Sequence, residues 1–276
     1  MAVNRPFTTY SYRDAYFRIS SPFPETVKGR IRKDRLALEE YIRSRPDFAT
    51  SLKPLDKNYD APLKEGETAV LHTPAPTVPP KQIAAPPEIA LRMFQASEAT
   101  GLGPMAAVAG TVAERACMAA LDKGAAYTIV ENGGDIFCAS DRPVYLGLYP
   151  GEHALKGKLA FRLDPEYLPV AACSSSGLMG HSYSAGRCDL ATVFAPDASL
   201  ADAAATLACN LISEPKDIEP VLNRIMAIKG IRGILIVKSG QVGVAGKLPE
   251  MVRNKDLSAD AKITRHPESG ARVLEA

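Results

Sequence analysis

Between Ala126 and Ala195 the chain breaks into six short apolar runs: AYTIVEN, IFCAS, VYLGLY, KLAFRL, PVAACSSS and DLATVFA. Each is rich in β-branched or aromatic residues or bounded by Gly, Pro, Asp or Ser, so each reads as a strand. Two helical patterns follow, SLADAAATLACNLI and DIEPVLNRIMAIKG, then strands GILIVK and VGVAG around the turn SGQ, and a polar, loose C-terminus. Upstream, FTTYSYRDAYFRI reads as one or two strands. The next segment, ETVKGRIRKDRLALEEYIRSRPDF, carries Val27, Ile31, Leu36, Leu38, Tyr41 and Ile42 at roughly helical spacing until Pro46 ends it. Runs of strands separated by a few helices predict an α+β fold with a large, mostly antiparallel sheet and packed helices, to which the helix–strand joins add parallel pairs.

One tract divides the chain. TPAPTVPPKQIAAPP, residues 73–87, holds six prolines in fifteen residues and can neither form a helix nor enter the middle of a sheet. We therefore expect an N-terminal strand and helix section over 1–72, an extended crossing over 73–87, and the main α+β domain over 88–276. Pro86 and Pro87 suit the start of a helix over EIALRMFQASEA, closed by Thr100-Gly101. GPMAAVAGTVAERACMAALDKG is a second helix, ending near Gly124, with a high density of Ala and Gly on its first two turns. Small residues there admit a close neighbour.

Composition removes several function classes. With 46% hydrophobic residues and a net charge of +2, the chain is globular and lacks the basic face of a nucleic-acid protein. Five cysteines form no C-x-x-C pair, which fits a reducing compartment rather than a disulfide framework. The first residues, MAVNRPFTTYSYRD, lack the apolar core of a signal peptide, and no stretch of 18 uninterrupted apolar residues exists, so a cytoplasmic protein without membrane contact is expected. A run of bases from Lys28 to Arg35 reads as the wet face of an amphipathic helix.

Three places carry candidate chemistry. In VENGGDIF an apolar run stops at Asn132-Gly133-Gly134-Asp135. That is either a tight hairpin turn or a point where backbone must come close to a ligand. In SLADAAATLACN, Asp202 and Thr206 lie one turn apart on one helix face among alanines. Their oxygens can hold Mg²⁺, or else Asp202 favours the helix dipole and Thr206 bonds back to its own helix. The loop CSSSGLMGHSYSAGRCD offers Ser174, Ser175, Ser176, Gly177 and His181, small donors that suit a phosphate or merely a solvated turn. No G-x-S-x-G elbow supports a serine hydrolase, and GLGPMA follows a helix rather than the strand that a dinucleotide fingerprint requires.

Taken in order, GPMAAVAGTVAERACMAALDKGAAYTIVENGGDI, VAACSSSGLMGHSYSAGRCD and ATVFAPDASLADAAAT resemble a UPF0280-type family of bacterial and archaeal proteins related to ApbE, the Mg²⁺-dependent FAD:protein FMN transferases. The resemblance runs from about Pro87 to Ser239. It implies an ApbE-like, T-fold-like architecture, with Mg²⁺ held by Asp202, Thr206 and a backbone carbonyl near Val108. It places a flavin nucleotide beside Asn132, Gly133, Gly134 and Asp135, with Ser175, Ser176 and Gly177 matching the transferases' "TSG" turn. By the same resemblance His181 is what remains of an "H-x-x-D-P-x-T-G" segment, and Ala109 stands where the transferases have a lysine.

The implied ligands are Mg²⁺ and FAD, as substrate or as bound cofactor. The implied partners are a nucleotide and an acceptor protein, and a large sheet with exposed edges also suits a homodimer. The expected function is Mg²⁺-dependent FAD binding, with FMN transfer by pyrophosphate cleavage at Asp202, Thr206 and His181. A divergent, non-catalytic protein holding another small molecule in the same cleft is the alternative.

Overall fold

The computed structural model describes residues 5–55, 85–148, 159–177 and 188–254. Its strands are β1 (Thr8–Tyr12), β2 (Ala15–Ser20), β3 (Tyr127–Asn132), β4 (Asp135–Ser140), β5 (Val144–Gly147), β6 (Leu159–Leu163), β7 (Val170–Ser175), β8 (Leu190–Ala195), β9 (Gly233–Lys238), β10 (Gln241–Gly246) and β11 (Glu250–Arg253). The helices are α1 (Pro24–Ser44), α2 (Pro46–Thr50), α3 (Glu88–Thr100), α4 (Val108–Leu121), α5 (Ala198–Leu211) and α6 (Ile218–Met226).

Eight strands form one sheet in the order β1-β2-β3-β4-β7-β8-β9-β10, and three form a second in the order β11-β6-β5. Every pairing among the described strands is antiparallel, which corrects the expected parallel pairs. The reason is visible between β8 and β9. An out-and-back pair of helices, α5 and α6, returns the chain to the end of the sheet it left, so the next strand runs the opposite way.

The large sheet separates two cores. Along β8 all six residues are buried, and alternation sorts them: Ala191, Val193 and Ala195 face the helices while Leu190 and Phe194 face the small sheet. Strand β7 repeats the arrangement with Ala171 and Cys173 on the helix side, Val170 and Ala172 on the other. Small residues thus meet the alanines of α5, and the helix can lie close to the sheet. On the far side bulk fills the gap, with Phe161 and Phe194 packed edge to face at 4.9 Å.

Helix α1 buries Val27, Ile31, Asp34, Leu38 and Tyr41 along one stripe. Leu36, expected on that stripe, points away from it and is exposed, because i+5 from Ile31 falls on the opposite side. Asp34 sits within the apolar stripe because Arg115 of α4 meets it with two hydrogen bonds, of 2.9 and 3.2 Å, and Arg30 adds a third at 2.8 Å. Strand β11 lies in the segment read as loose; four residues flanked by Pro249 give too short a pattern to see. Among the described residues no helix is long and apolar enough to cross a membrane.

Helices α4 and α5 cross at Gly110. A Cβ added there would meet the Ala198 carbonyl oxygen at 2.4 Å and the Asp202 Cβ at 2.9 Å. Gly110→Ala should therefore lower stability by roughly 1–3 kcal/mol, because rigid backbone must move. An unchanged urea midpoint would show that the two helices separate freely. Asp34→Ala leaves the nearly buried Arg115 guanidinium with only the more exposed Glu88, at 2.7 Å, and should cost about 3 kcal/mol in the same assay.

Candidate functional site

The bend after β3 is a two-residue hairpin turn. Gly133 and Gly134 both have positive φ, 64° and 104°, and Asn132 pairs with Asp135 across it. Side-chain-bearing residues disfavour that left-handed pair of conformations, which accounts for the two glycines. The hairpin also brings three elements to one end of the sheet's helical face. Asn132 donates its amide N–H to the Ala109 carbonyl at 3.2 Å, and one Asp135 oxygen accepts the Ser174 N–H at 3.2 Å.

Asp202 arrives at the same place from α5. Its Oδ2 accepts the Gly110 N–H at 2.8 Å, and the Ala109 N–H also bonds it. The carboxylate thereby satisfies amides at the start of α4 that have no partner within their own helix. Burial raises the Asp202 carboxyl to about 7, and the two amides offset part of that rise. Asp135 is pushed well above the usual carboxylate range, first by burial and then by the charge of Asp202. The Ser174 N–H and the Cys173 thiol pull it back in part. Two buried carboxylates therefore oppose each other, 7% and 8% exposed. Among the described residues no lysine or arginine forms an ion pair with either.

The remaining expected residues fall around this pair. Thr206 is half-buried one turn along α5 from Asp202, and Val108 is the first residue of α4. Ser175, half-buried at the end of β7, lies on the helical face two residues beyond Cys173. Gly177 is exposed and donates its N–H to the Cys188 carbonyl at 2.9 Å. Ser176 is half-buried beside it. His181 lies outside the described residues, so the structure brings together the carboxylate, glycine and serine parts of the expected site without it.

Sequence reasoning missed Glu114. It is buried, with one oxygen accepting the Ala198 N–H at the start of α5 at 2.7 Å and the other accepting from Arg92 at 2.7 Å. Its signal was available: a lone acid inside an alanine-rich helix needs a partner. Deeper in the crossing, Thr111 and Ser199 hydroxyls bond at 2.9 Å.

The donor set suits a hard divalent cation, since the carboxylates of Asp135 and Asp202 and the hydroxyl of Thr206 all present oxygen. Among the described residues no cluster of three His, Cys, Asp or Glu side chains could hold a metal. A cation here would therefore draw further oxygen from Thr206, backbone and ligand.

Residues 63–242 match the family model described as AbpE bacteria. UPF0280 proteins of Archaeoglobus fulgidus and Methanocaldococcus jannaschii are 37% and 38% identical, over 88% and 85% of this chain and 92% and 84% of theirs. The ApbE protein of Thermotoga maritima aligns with 95% of this chain and all 100% of its own, at 14% identity and a TM-score of 0.46. The apo flavinyl transferase ApbE of Pseudomonas stutzeri aligns with 93% of this chain and 96% of its own, at 10% identity and a TM-score of 0.45. From its matched span the chain belongs to the family described as AbpE bacteria, and from its identity to the two archaeal relatives it belongs with the UPF0280 proteins.

Proposed function

We propose that the chain binds a flavin nucleotide, FAD, with Mg²⁺ at the α4–α5 crossing, and transfers FMN from it to a hydroxyl of an acceptor protein. The observation that carries the reading is the opposed pair Asp135 and Asp202, buried together without a cationic side chain among the described residues. Such a pair is stable with a shared proton or with a cation between or beside it. The flavin itself comes from the resemblance to the transferases.

In this reading Asp202 and Thr206 hold the ion, with Asp135 adding negative charge. The ion, when bound, neutralises charge on pyrophosphate oxygens. The start of α4 keeps Asp202 in place through the amides of Ala109 and Gly110. At Gly133 no heavy atom of the described residues lies within 4 Å of where a Cβ would be, so among them nothing keeps a ligand from the backbone. Ser175 and Ser176 supply hydroxyls at the same sheet end, and His181 is the remaining candidate for moving a proton.

A second reading is favoured by Ala109. The transferases resembled here have a lysine at that step, whereas this chain has a methyl group and uses the Ala109 carbonyl to hold Asn132. The same cleft would then bind a small molecule without transfer.

Two measurements separate these readings. Melting with FAD, FMN or ADP, each with and without Mg²⁺, should show a Mg²⁺-dependent rise for FAD of roughly 5 °C or more at a hundredfold excess over Kd. Asp202→Asn should abolish the Mg²⁺ dependence. No rise with any flavin overturns the flavin reading, and a rise indifferent to Mg²⁺ removes Asp202 from the ion's shell. Incubation with FAD, Mg²⁺ and a hydroxyl-bearing acceptor should release AMP; binding without AMP supports the second reading.

A further inference from the structure

Strand β10 ends the eight-stranded sheet, with β9 on one side and no strand on the other among the described residues. Its sequence, QVGVAG, contains no charge and no proline, and its ladder with β9 runs unbroken from Gln241 to Gly246. Edge strands in soluble proteins are normally blunted by lysine, proline or a bulge, because free N–H and C=O groups recruit another strand. This edge carries none of those devices. By contrast, the opposite edge strand, β1, is TTYSY and presents hydroxyl-bearing side chains.

The exposed side chains of β10 are the wrong kind for a solvated edge. Val242 and Val244 are opposite Val237 and Leu235 in the ladder, and those two belong to the core between the sheets. Residues paired across a ladder share a face. The two valines therefore continue that core outward, yet they are 43% and 49% exposed. Between them, Gly243 faces α6, where an added Cβ would meet Ile218 Cγ2 at 2.2 Å. The helix, not the edge, requires glycine there.

Val-Gly-Val reads the same in both directions, and this selects the partner. If a second copy is laid antiparallel with Gly243 opposite its own counterpart, Val242 meets the partner's Val244, and Val244 meets the partner's Val242. Both contacts fall on the core-continuing face. The match is isologous: one patch satisfies itself through a two-fold axis, with no charge left between the strands. We propose that β10 is a homodimer interface, joining two eight-stranded sheets edge to edge through a Val242–Val244 pair repeated twice. The valine seam and the unblunted backbone edge are then covered by the same event. The inference is independent of the proposed ligand, because β10 contributes none of the candidate site residues.

Sedimentation velocity on the full chain, from about 1 to about 100 µM, should show a dimer in reversible exchange with monomer. Val244→Lys should raise the dimer dissociation constant at least about tenfold, since each interface loses two apolar cross-strand pairs and gains two desolvated charges. Its melting temperature measured as monomer should stay near that of the parent, because the position is half exposed. The double variant Val242→Glu/Val244→Lys should restore dimer, as each glutamate then faces a lysine of the other copy. A parent chain that is monomeric throughout the range, or a Val244→Lys dimer as tight as the parent, overturns the interface. A double variant no tighter than Val244→Lys overturns the register centred on Gly243.

Discussion

Two helices exchange carboxylates across their crossing, and the site is organised by that exchange. Asp202 of α5 accepts amides at the start of α4, while Glu114 of α4 accepts the first amide of α5. Each helix begins with N–H groups that its own backbone cannot satisfy, and each finds its acceptor on the other. The exchange has a steric condition, met by Gly110: α4 must come near enough for the Ala198 carbonyl to occupy the space a side chain would fill. Negative charge at two positive helix ends also stabilises both carboxylates where burial alone would disfavour them.

The sheet completes the arrangement. Asp135 is opposite Asn132 in the hairpin, and the hairpin fixes where both side chains go: one to the Ser174 amide, the other to the Ala109 carbonyl. Asn132 and Asp202 thus hold the same short stretch of α4 from two directions, by its carbonyl and by its amides. Movement of any one element would unsettle the other two. The structural role does not exhaust Asp202, whose carboxylate has more lone pairs than its two amide bonds use.

The strands and helices were largely legible because their signals are local. Gly101 and Gly124 mark helix ends and take the left-handed conformation expected of them, with φ of 77° and 89°. Pro46 interrupts the helical pattern one residue past the Arg45 cap. What stayed hidden depends on partners distant in sequence. The burial of Asp34 depends on Arg115, 81 residues away, and the antiparallel β8–β9 pair depends on how two helices fold back. At the site, the spacing of Asp202 and Thr206 was readable from the helix period. The opposition of Asp202 and Asp135 was not, since no local pattern links a hairpin to a helix 67 positions onward. The valine seam of β10 looked like an ordinary strand, because exposure depends on which neighbour a ladder lacks.

Gly110 and Gly133 are constrained in different ways. Gly110 is excluded from carrying any extra atom, whatever its stereochemistry, since the obstacle is occupied volume. Gly133 meets no neighbour among the described residues and is restricted there only in the handedness of its backbone. Asparagine, which tolerates that handedness, could stand at 133 while leaving the chain path intact. Natural or designed diversity would accordingly be written into the bend, while the helix crossing stays invariant.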